Sequence, residues 1–517
     1  MAAVANPSLD DRLSTIRDRL VAALGAEGVL SEESAAEFHD PYATGGTPTP
    51  RPVLVVQPAS VEEVQAVVRI ANEHGIPLWT SSQGRNFGYG GGAPVTEGVI
   101  AVNLRRMNRV LEIDEQGGYA VVEPGVSFHE LYAEIKARRV KLWISVPDLG
   151  WGSVVGNTAE HGLGYTQFGD HAGAVAGMEV VLASGEIVRT GLWALPNNSL
   201  GARAKRGFGP SVDSLFLQSN FGIITKMGLW LMPEPEVFTA GSVIIDHADR
   251  IPMLIDALAP LVQDGTVQGL PLIVSAPEPE GGRCEPMDDT TGKSKLQKLS
   301  ATFPPGRVNA RISFYGHPSL VAAREEIVRA AVSHIPGHTV DLRTYPGDVD
   351  PTKVHPLDLV PAGIPNMFLL DMLHKHFGPS VGHFDFSPII PFTGEAAAEH
   401  EAMVQQVAAE YDLVVGFGWI GQPRSLIGIS MILFDTSDPA EAANARAAAD
   451  RLIEMAAERG WSEYRGHVTV QETIASLYSG NGNSLRRFYS TLKDALDPAG
   501  VLSPGSHGIW PGSHRYA

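Results

Sequence analysis

Apolar residues recur along this chain with two different periods, and the period changes partway through. Val53–Val56 and Ile76–Thr80 are short apolar runs rich in β-favouring residues, the pattern of buried strands. Between them, Val61 to Asn72 places its apolar residues at helical intervals, and Ser60 followed by Glu63 carries the start signal of a capping box. A strand–helix–strand unit is expected. It empties into Ser82–Pro94, SQGRNFGYGGGAP, which holds five glycines. From there to about Met232 short strands alternate with turns, among them Gly98–Leu104, Tyr119–Val122, Val180–Ala183 and Ile187–Thr190. Beyond Pro233-Glu234-Pro235 the texture changes. Arg307–Tyr315 and Leu426–Phe434 read as strands, whereas Leu320–His334, Glu395–Tyr411 and Pro439–Arg459 have helical spacing. Asp438-Pro439 with Glu441 marks a helix start. This order predicts an α+β unit, an antiparallel sheet covered by helices. Residues 10–40 read as one or two helices, Glu278–Lys298 as a surface insertion, and the last fifty residues as a turn-rich tail.

The glycine loop is the most informative of these features. A strand that empties into glycines lets bare backbone N–H groups approach an anion such as the pyrophosphate of a nucleotide. The apparent dinucleotide fingerprint Gly88-Tyr89-Gly90-Gly91-Gly92-Ala93 is false, because Pro94 follows and the next run reads as a strand, not a helix. The loop thus suggests a nucleotide cofactor outside a Rossmann fold, a plain glycine turn being the bland alternative.

Composition narrows the partners. The 517 residues are 44% hydrophobic and 19% charged, enough for two or three domains with large cores. Fifty-eight acidic against 39 basic residues give a net charge of −19, which disfavours nucleic acid and anionic membranes. The single cysteine, Cys284, excludes an internal disulfide and a cysteine metal cage. Met1 to Gly25 has no apolar secretory region, and no apolar run reaches spanning length. A cytoplasmic enzyme is the expectation. His355, His374 and His376 lack ligand spacing with carboxylates, so no metal is expected.

Some side chains stand out for their chemistry. Asp148, between Pro147 and a glycine-rich run, either caps a turn or serves as an acid or base. In His383-Phe384-Asp385-Phe386-Ser387 the alternation places His383, Asp385 and Ser387 on one strand face and the phenylalanines on the other. Tyr464-Arg465 alone reads as an amphipathic pair at a strand rim.

Taken together, a series of motifs resembles the vanillyl-alcohol oxidase family of FAD enzymes, which includes bacterial eugenol oxidases and 4-alkylphenol oxidases. They are Gly88-Tyr89-Gly90-Gly91, the block from Pro147-Asp148 through Gly152-Ser153 to Gly156-Asn157-Thr158, Gly164-Tyr165-Thr166 and Gly169-Asp170-His171. Phe208-Gly209-Pro210, Gln218 to Met227, Gly382-His383, Tyr464-Arg465 and Leu496-Asp497-Pro498 continue the series along the whole chain.

The resemblance implies an α+β fold: an FAD-binding domain of two subdomains (1–235), an α+β cap domain with an antiparallel sheet (236–463), and a C-terminal segment (464–517) returning to the first domain. By the same resemblance Gly84, Arg85, Asn86 and Gly88, with Pro147, Gly152, Ser153, Gly156, Asn157, Gly222 and Ile223, contact FAD. Small side chains there allow close approach, and Ser153 and Asn157 are expected to donate hydrogen bonds. His383 corresponds to the residue that bears covalent flavin. Asp148 faces flavin N5 and the reacting carbon, and Tyr89, Tyr464 and Arg465 form a phenolate clamp. Two departures are visible: Asp385 stands where relatives carry a small residue, and Ser506-His507 where a basic flavin contact is expected.

The implied activity is oxidation of 4-substituted phenols by hydride transfer to FAD through a quinone methide, with O2 reduced to H2O2. The nearest alternative is a 4-cresol-type dehydrogenase that uses a protein acceptor. A non-catalytic flavin-binding protein is disfavoured because Tyr89, Asp148, Tyr464 and Arg465 occur together. Relatives imply a homodimer or larger homo-oligomer.

Overall fold

The computed structural model describes residues 9–35, 37–43, 49–275 and 307–512. The expected insertion Glu278–Lys298, with Cys284, lies outside them. Leu54–Val56, Ile100–Asn103 and Leu78–Ser81 form a parallel sheet in that spatial order. The helix Val61–His74 crosses between the outer strands and buries Val61, Val64, Val67, Val68, Ile70 and Ala71, the i, i+3, i+4, i+7 stripe seen in the sequence. Each fully buried valine or isoleucine there contributes roughly 1.5–3 kcal/mol. The Ser60 hydroxyl accepts from the Glu63 amide at 3.2 Å, but the Glu63 carboxylate reaches past Ser60 to the Ala59 amide at 2.8 Å. Gly75, at φ 59°, ends the helix in the left-handed conformation.

A second, antiparallel sheet runs Val110–Asp114, Tyr119–Val122, Ile223–Trp230, Val175–Val181, Ile187–Arg189. Val175–Val181 starts earlier than the expected Val180–Ala183 because it is buried throughout, so alternation could not mark it. The region also contains a helix, Phe128–Ala137, opened by a closed capping box between Ser127 and Glu130.

The third sheet has nine strands. Its order is Thr339–Pro346, Val237–Ile245, Val308–Gly316, Leu272–Ser275, Val414–Gly421 and Ser425–Asp435, the last pairing with both Val381–Phe386 and Pro388–Pro391, and Ser462–Glu463 pairs with Pro388–Pro391 at the edge. Its neighbours are antiparallel. Residues alternate along the central strands: Ile273, Ala310, Ile312 and Trp419 pack with the helices Ile251–Gln263, Pro318–Val332, Gly394–Glu410 and Pro439–Glu458. Leu272, Val274, Asn309, Arg311, Gly418 and Ile420 face a cavity instead. One face is thus core and the other a binding wall.

The last fifty residues are less turn-rich than expected, for Gln471–Leu477 and Gly480–Leu496 are helical. Asn481, Gly482 and Asn483 interrupt them in left-handed conformations, and Tyr478, Leu485 and Phe488 are exposed. Tyr489, Leu492 and Leu496 do pack toward the core at helical spacing, a stripe that these exposed residues blur. Leu502 then bridges to Leu78. Lys493 and Asp497, both wholly buried, lie 2.7 Å apart beneath this bridge. Lys493 donates to the Asn220 and Leu502 carbonyls at 2.9 and 2.6 Å, and Asp497 accepts from the Val501 and Leu502 amides. Burial pulls the Lys493 ammonium below its usual range, against the pull of Asp497. Among the described residues no helix is long and apolar enough to cross a membrane, and no cluster of His, Cys, Asp or Glu is placed to hold a metal.

Candidate active site

A cavity of about 900 Å³ lies where the three sheets approach one another. The loop after Leu78–Ser81, the block Pro147–Asn157, the turn before Ile223–Trp230, the open face of the nine-stranded sheet and the C-terminal segment all contribute walls. Every residue singled out as cofactor-contacting or catalytic lines it: Gly84, Arg85, Asn86, Gly88, Tyr89, Pro147, Asp148, Gly152, Ser153, Gly156, Asn157, Gly222, Ile223, His383, Tyr464 and Arg465.

The walls suit an extended nucleotide. Gly84 sits at φ 67°, and a Cβ on Gly156 would lie 2.0 Å from the Ser82 hydroxyl, so both positions require bare backbone. The Trp151 indole N–H, on the cavity wall, is buried without a protein partner. Asn157 accepts from His171 Nδ1 at 2.7 Å through its Oδ1, a role that commits its carbonyl oxygen and leaves the NH2 as its donor. Burial pushes the His171 imidazole down to about 3, so it stays neutral. Ser153 departs from expectation. Its hydroxyl donates to the Pro124 carbonyl at 2.6 Å and accepts from the Gly156 amide at 2.9 Å. It caps the short helix Val154–Ala159, so its proton points into the protein and is not offered to a ligand.

Tyr89, Tyr464 and Arg465 converge although they come from opposite ends of the chain. The Val468 amide donates to the Tyr89 carbonyl at 3.1 Å and ties the two segments together. The Arg465 guanidinium carbon lies 5.0 Å from the centre of the Tyr89 ring and 5.9 Å from that of Tyr464. Burial pushes the Tyr89 phenol well above its usual range, with Tyr464 and Asp385 adding to the effect against Arg465. Burial alone would lower Arg465, but Tyr464, Tyr89 and Glu160 carry it above its ordinary value. Arg465 stays a cation and Tyr89 a neutral donor.

Asp148 is not held as a turn cap. Tyr165 donates to its Oδ2 at 2.5 Å and Arg311 to its Oδ1 at 3.2 Å. The Arg311 guanidinium also stacks 4.1 Å above the Tyr165 ring. Burial, then Asp148, pushes the Tyr165 phenol well above its usual range. Sequence reasoning gave Tyr165 no role and missed Arg311. The available signal was a lone arginine on the polar face of the alternating strand Val308–Gly316.

Two further pairs complete the wall. His383 Nδ1 and Asp385 Oδ1 are 2.9 Å apart, with Phe384 and Phe386 buried on the opposite strand face. Ser387 follows the strand's end and is fully buried. In the C-terminal wall His507 Nε2 lies 3.1 Å from Glu160 and its Nδ1 2.9 Å from the Ser506 hydroxyl. Although burial opposes it, His507 and then Arg465 hold the Glu160 carboxyl down at about 2.

Comparison with known proteins shows the family. Residues 52–191 match an FAD binding domain, and residues 372–507 match the C-terminal domain of FAD linked oxidases. The chain is similar to the flavoprotein subunit of 4-cresol dehydrogenase from Pseudomonas putida, 34% identical over 89% of this chain and 88% of the relative. It is also similar to 1'-carboxy-chondrochloren decarboxylase from Chondromyces crocatus, 28% identical over 94% and 96%. Among solved structures, 4-ethylphenol oxidase from Gulosibacter chungangensis in complex with isoeugenol superposes with a TM-score of 0.88 at 33% identity, covering 99% of both chains. Substrate-bound p-cresol methylhydroxylase gives 0.85 at 30% identity, covering 96% and 97%. Fold, cavity and kinship together define an FAD-linked oxidoreductase. The chain belongs to the vanillyl-alcohol oxidase/p-cresol methylhydroxylase family.

Proposed function

We propose that this enzyme oxidises 4-substituted phenols at the carbon attached para to the hydroxyl, and that dioxygen is the final acceptor, giving hydrogen peroxide. The convergence of Tyr89, Tyr464 and Arg465 on one side of a cavity that also holds Asp148 carries the reading. Two phenolic donors and one permanent cation favour the ionised form of a bound phenol. Tyr89 resists ionising itself, so it donates while the substrate surrenders its proton. A phenolate pushes electron density toward its para carbon and makes hydride loss there feasible. The Gly84–Gly88 loop, the Gly152–Asn157 block, Gly222 and Ile223 would hold FAD, which would supply the hydride acceptor. Asp148, oriented by Tyr165 and Arg311, accepts or returns a proton at the oxidised carbon. The substrate leaves as a quinone methide that is hydrated or loses a proton, giving an alcohol, aldehyde or alkenyl phenol. Relatives named for 4-cresol and 4-ethylphenol support this substrate class.

We also assign His383 as the covalent attachment point of FAD, and the units 1–235, 236–463 and 464–517 as FAD-binding domain, cap and returning segment. A homo-oligomer working in the cytoplasm completes the reading. The second reading is a dehydrogenase that passes electrons to a protein, favoured by kinship to a flavoprotein subunit. A peroxide-coupled screen of para-substituted phenols, run beside a dye acceptor, separates the two. Peroxide equal to substrate consumed supports the oxidase, and turnover with dye alone replaces it with the dehydrogenase. Methyl ethers of active substrates should not reduce the flavin, and equal rates with them would remove the phenolate mechanism.

A further inference from the structure

We propose that Asp385 readies His383 for bond formation with the flavin, an inference that rests on the reading of His383 as the attachment residue. Asp385 Oδ1 lies 2.9 Å from His383 Nδ1. A carboxylate only accepts, so Nδ1 carries the proton and the lone pair sits on Nε2. Among the described residues no hydrogen-bond partner engages Nε2, and the ring lines the cavity. A hydrogen bond that fixes the tautomer of a neutral imidazole thereby selects which nitrogen is the nucleophile.

The pose is held from several sides. Phe384 and Phe386 anchor the opposite face of the strand, at 2% and 1% exposure. The Tyr42 ring lies 5.2 Å from the His383 ring. On the loop side, a Cβ on Gly88 would lie 2.3 Å from Asp385 Oδ2 and 2.5 Å from His383 Cε1. Carboxylate and imidazole are therefore wedged together against bare backbone. Both keep 15% of their side-chain surface, which reaches the cavity.

The chemistry balances with one co-reactant. One C–H bond of the flavin's 8α-methyl would break, its proton passing to water in the cavity and its electron pair into the ring system, and His383 Nε2 would then bond to that carbon. The Nδ1 proton passes to Asp385, which neutralises the imidazolium as it forms. The two electrons released remain in the flavin ring system until dioxygen takes them, with the two protons, as hydrogen peroxide.

The test uses the full chain produced under riboflavin limitation and mixed with FAD. Samples are denatured at intervals, and covalent flavin is read as in-gel fluorescence across a range of FAD concentrations. Asp385→Asn should attach flavin at least about a hundredfold more slowly at saturating FAD, the low end for a lost acid–base or orienting group. The FAD concentration giving half the maximal rate should stay within about twofold, because a positioning residue acts after binding. Asp385→Glu should recover most of the rate. Wild-type attachment in Asp385→Asn, or a loss explained wholly by weaker FAD binding, overturns the role of Asp385. Fluorescence that persists in His383→Ala, or is absent from the wild type, overturns the attachment reading beneath it.

Discussion

Replacing Asp148 by alanine separates a catalytic carboxylate from an architectural one. In the structure its two oxygens take the Tyr165 hydroxyl at 2.5 Å and the Arg311 guanidinium at 3.2 Å. The side chains of Asp148 and Arg311 are 25% and 15% exposed, so water from the cavity replaces part of what is lost. Hydrogen bonds to charged groups contribute about 1.5–3 kcal/mol. With that rehydration, the fold should lose only about 1–3 kcal/mol. The chemical step should lose more. A missing acid–base or orienting group slows it by at least about a hundredfold, or roughly 2.7 kcal/mol of barrier. Substrate affinity should change far less, since the proposed clamp of Tyr89, Tyr464 and Arg465 is left in place. Anaerobic stopped-flow reduction of folded, flavin-loaded Asp148→Ala measures the rate, and a thermal melt measures the fold. A near wild-type reduction rate alongside a lowered melting temperature would refute the reasoning and leave Asp148 as architecture.

Other perturbations follow from the same geometry. Arg465→Lys keeps a charge but loses the planar fork, and phenolic inhibitors should bind about 10- to 100-fold more weakly, as read by flavin spectral titration; unchanged affinity would argue against the clamp. Lys493→Met leaves Asp497 as an unpaired buried charge and should destabilise the protein by about 3–5 kcal/mol; a denaturation midpoint like that of the wild type would show that the network adds nothing. Glu160, whose carboxyl is held down at about 2 from an ordinary value of 4.5, contributes stability that is complete above pH 4.5 and lost as pH falls through 2. Glu160→Gln should therefore lie below the wild type at neutral pH and converge with it in acid, and denaturation curves that stay parallel across that window would contradict the assignment.

The site was legible wherever function needs particular backbone. Gly84 and Gly156 leave their mark in the sequence because glycine takes a left-handed φ without strain and brings no Cβ to a 2.0 Å approach. Asp148, His383 and the clamp residues were legible only as members of motifs; nothing local tells Tyr464 that Tyr89 lies beside it. Arg311 was hidden for a related reason. Its polarity on an alternating strand is readable, but its partner Asp148 is set by how the third sheet docks on the other two. Ser153 failed through direction alone: a serine at that position reads as a donor to ligand until the Pro124 carbonyl is seen to take its proton. The long helices over the nine-stranded sheet were read within a few residues because their burial is one-sided, and the parallel strands because they are short apolar runs bounded by turn residues. The start of Val175–Val181 was not, because Gly177 and Glu179 interrupt its apolar run, and neither was the helix Gly480–Leu496, where exposed Leu485 and Phe488 blur the stripe of Tyr489, Leu492 and Leu496.

The return of the chain end to Leu78, with His507 in the cavity wall, bears on how the enzyme is made. At translation speeds of about 5–20 residues per second, His507 is added roughly 20–80 s after the glycine loop. Throughout that interval the early sheet, with its glycine loop already synthesised, lacks the edge that Leu502 will occupy and the wall that His507 will close. A ribosome-bound chain stalled before Gln471 would expose both. The wall built by Tyr464, Arg465 and His507 is therefore synthesised long after the glycine loop that it faces across the cavity.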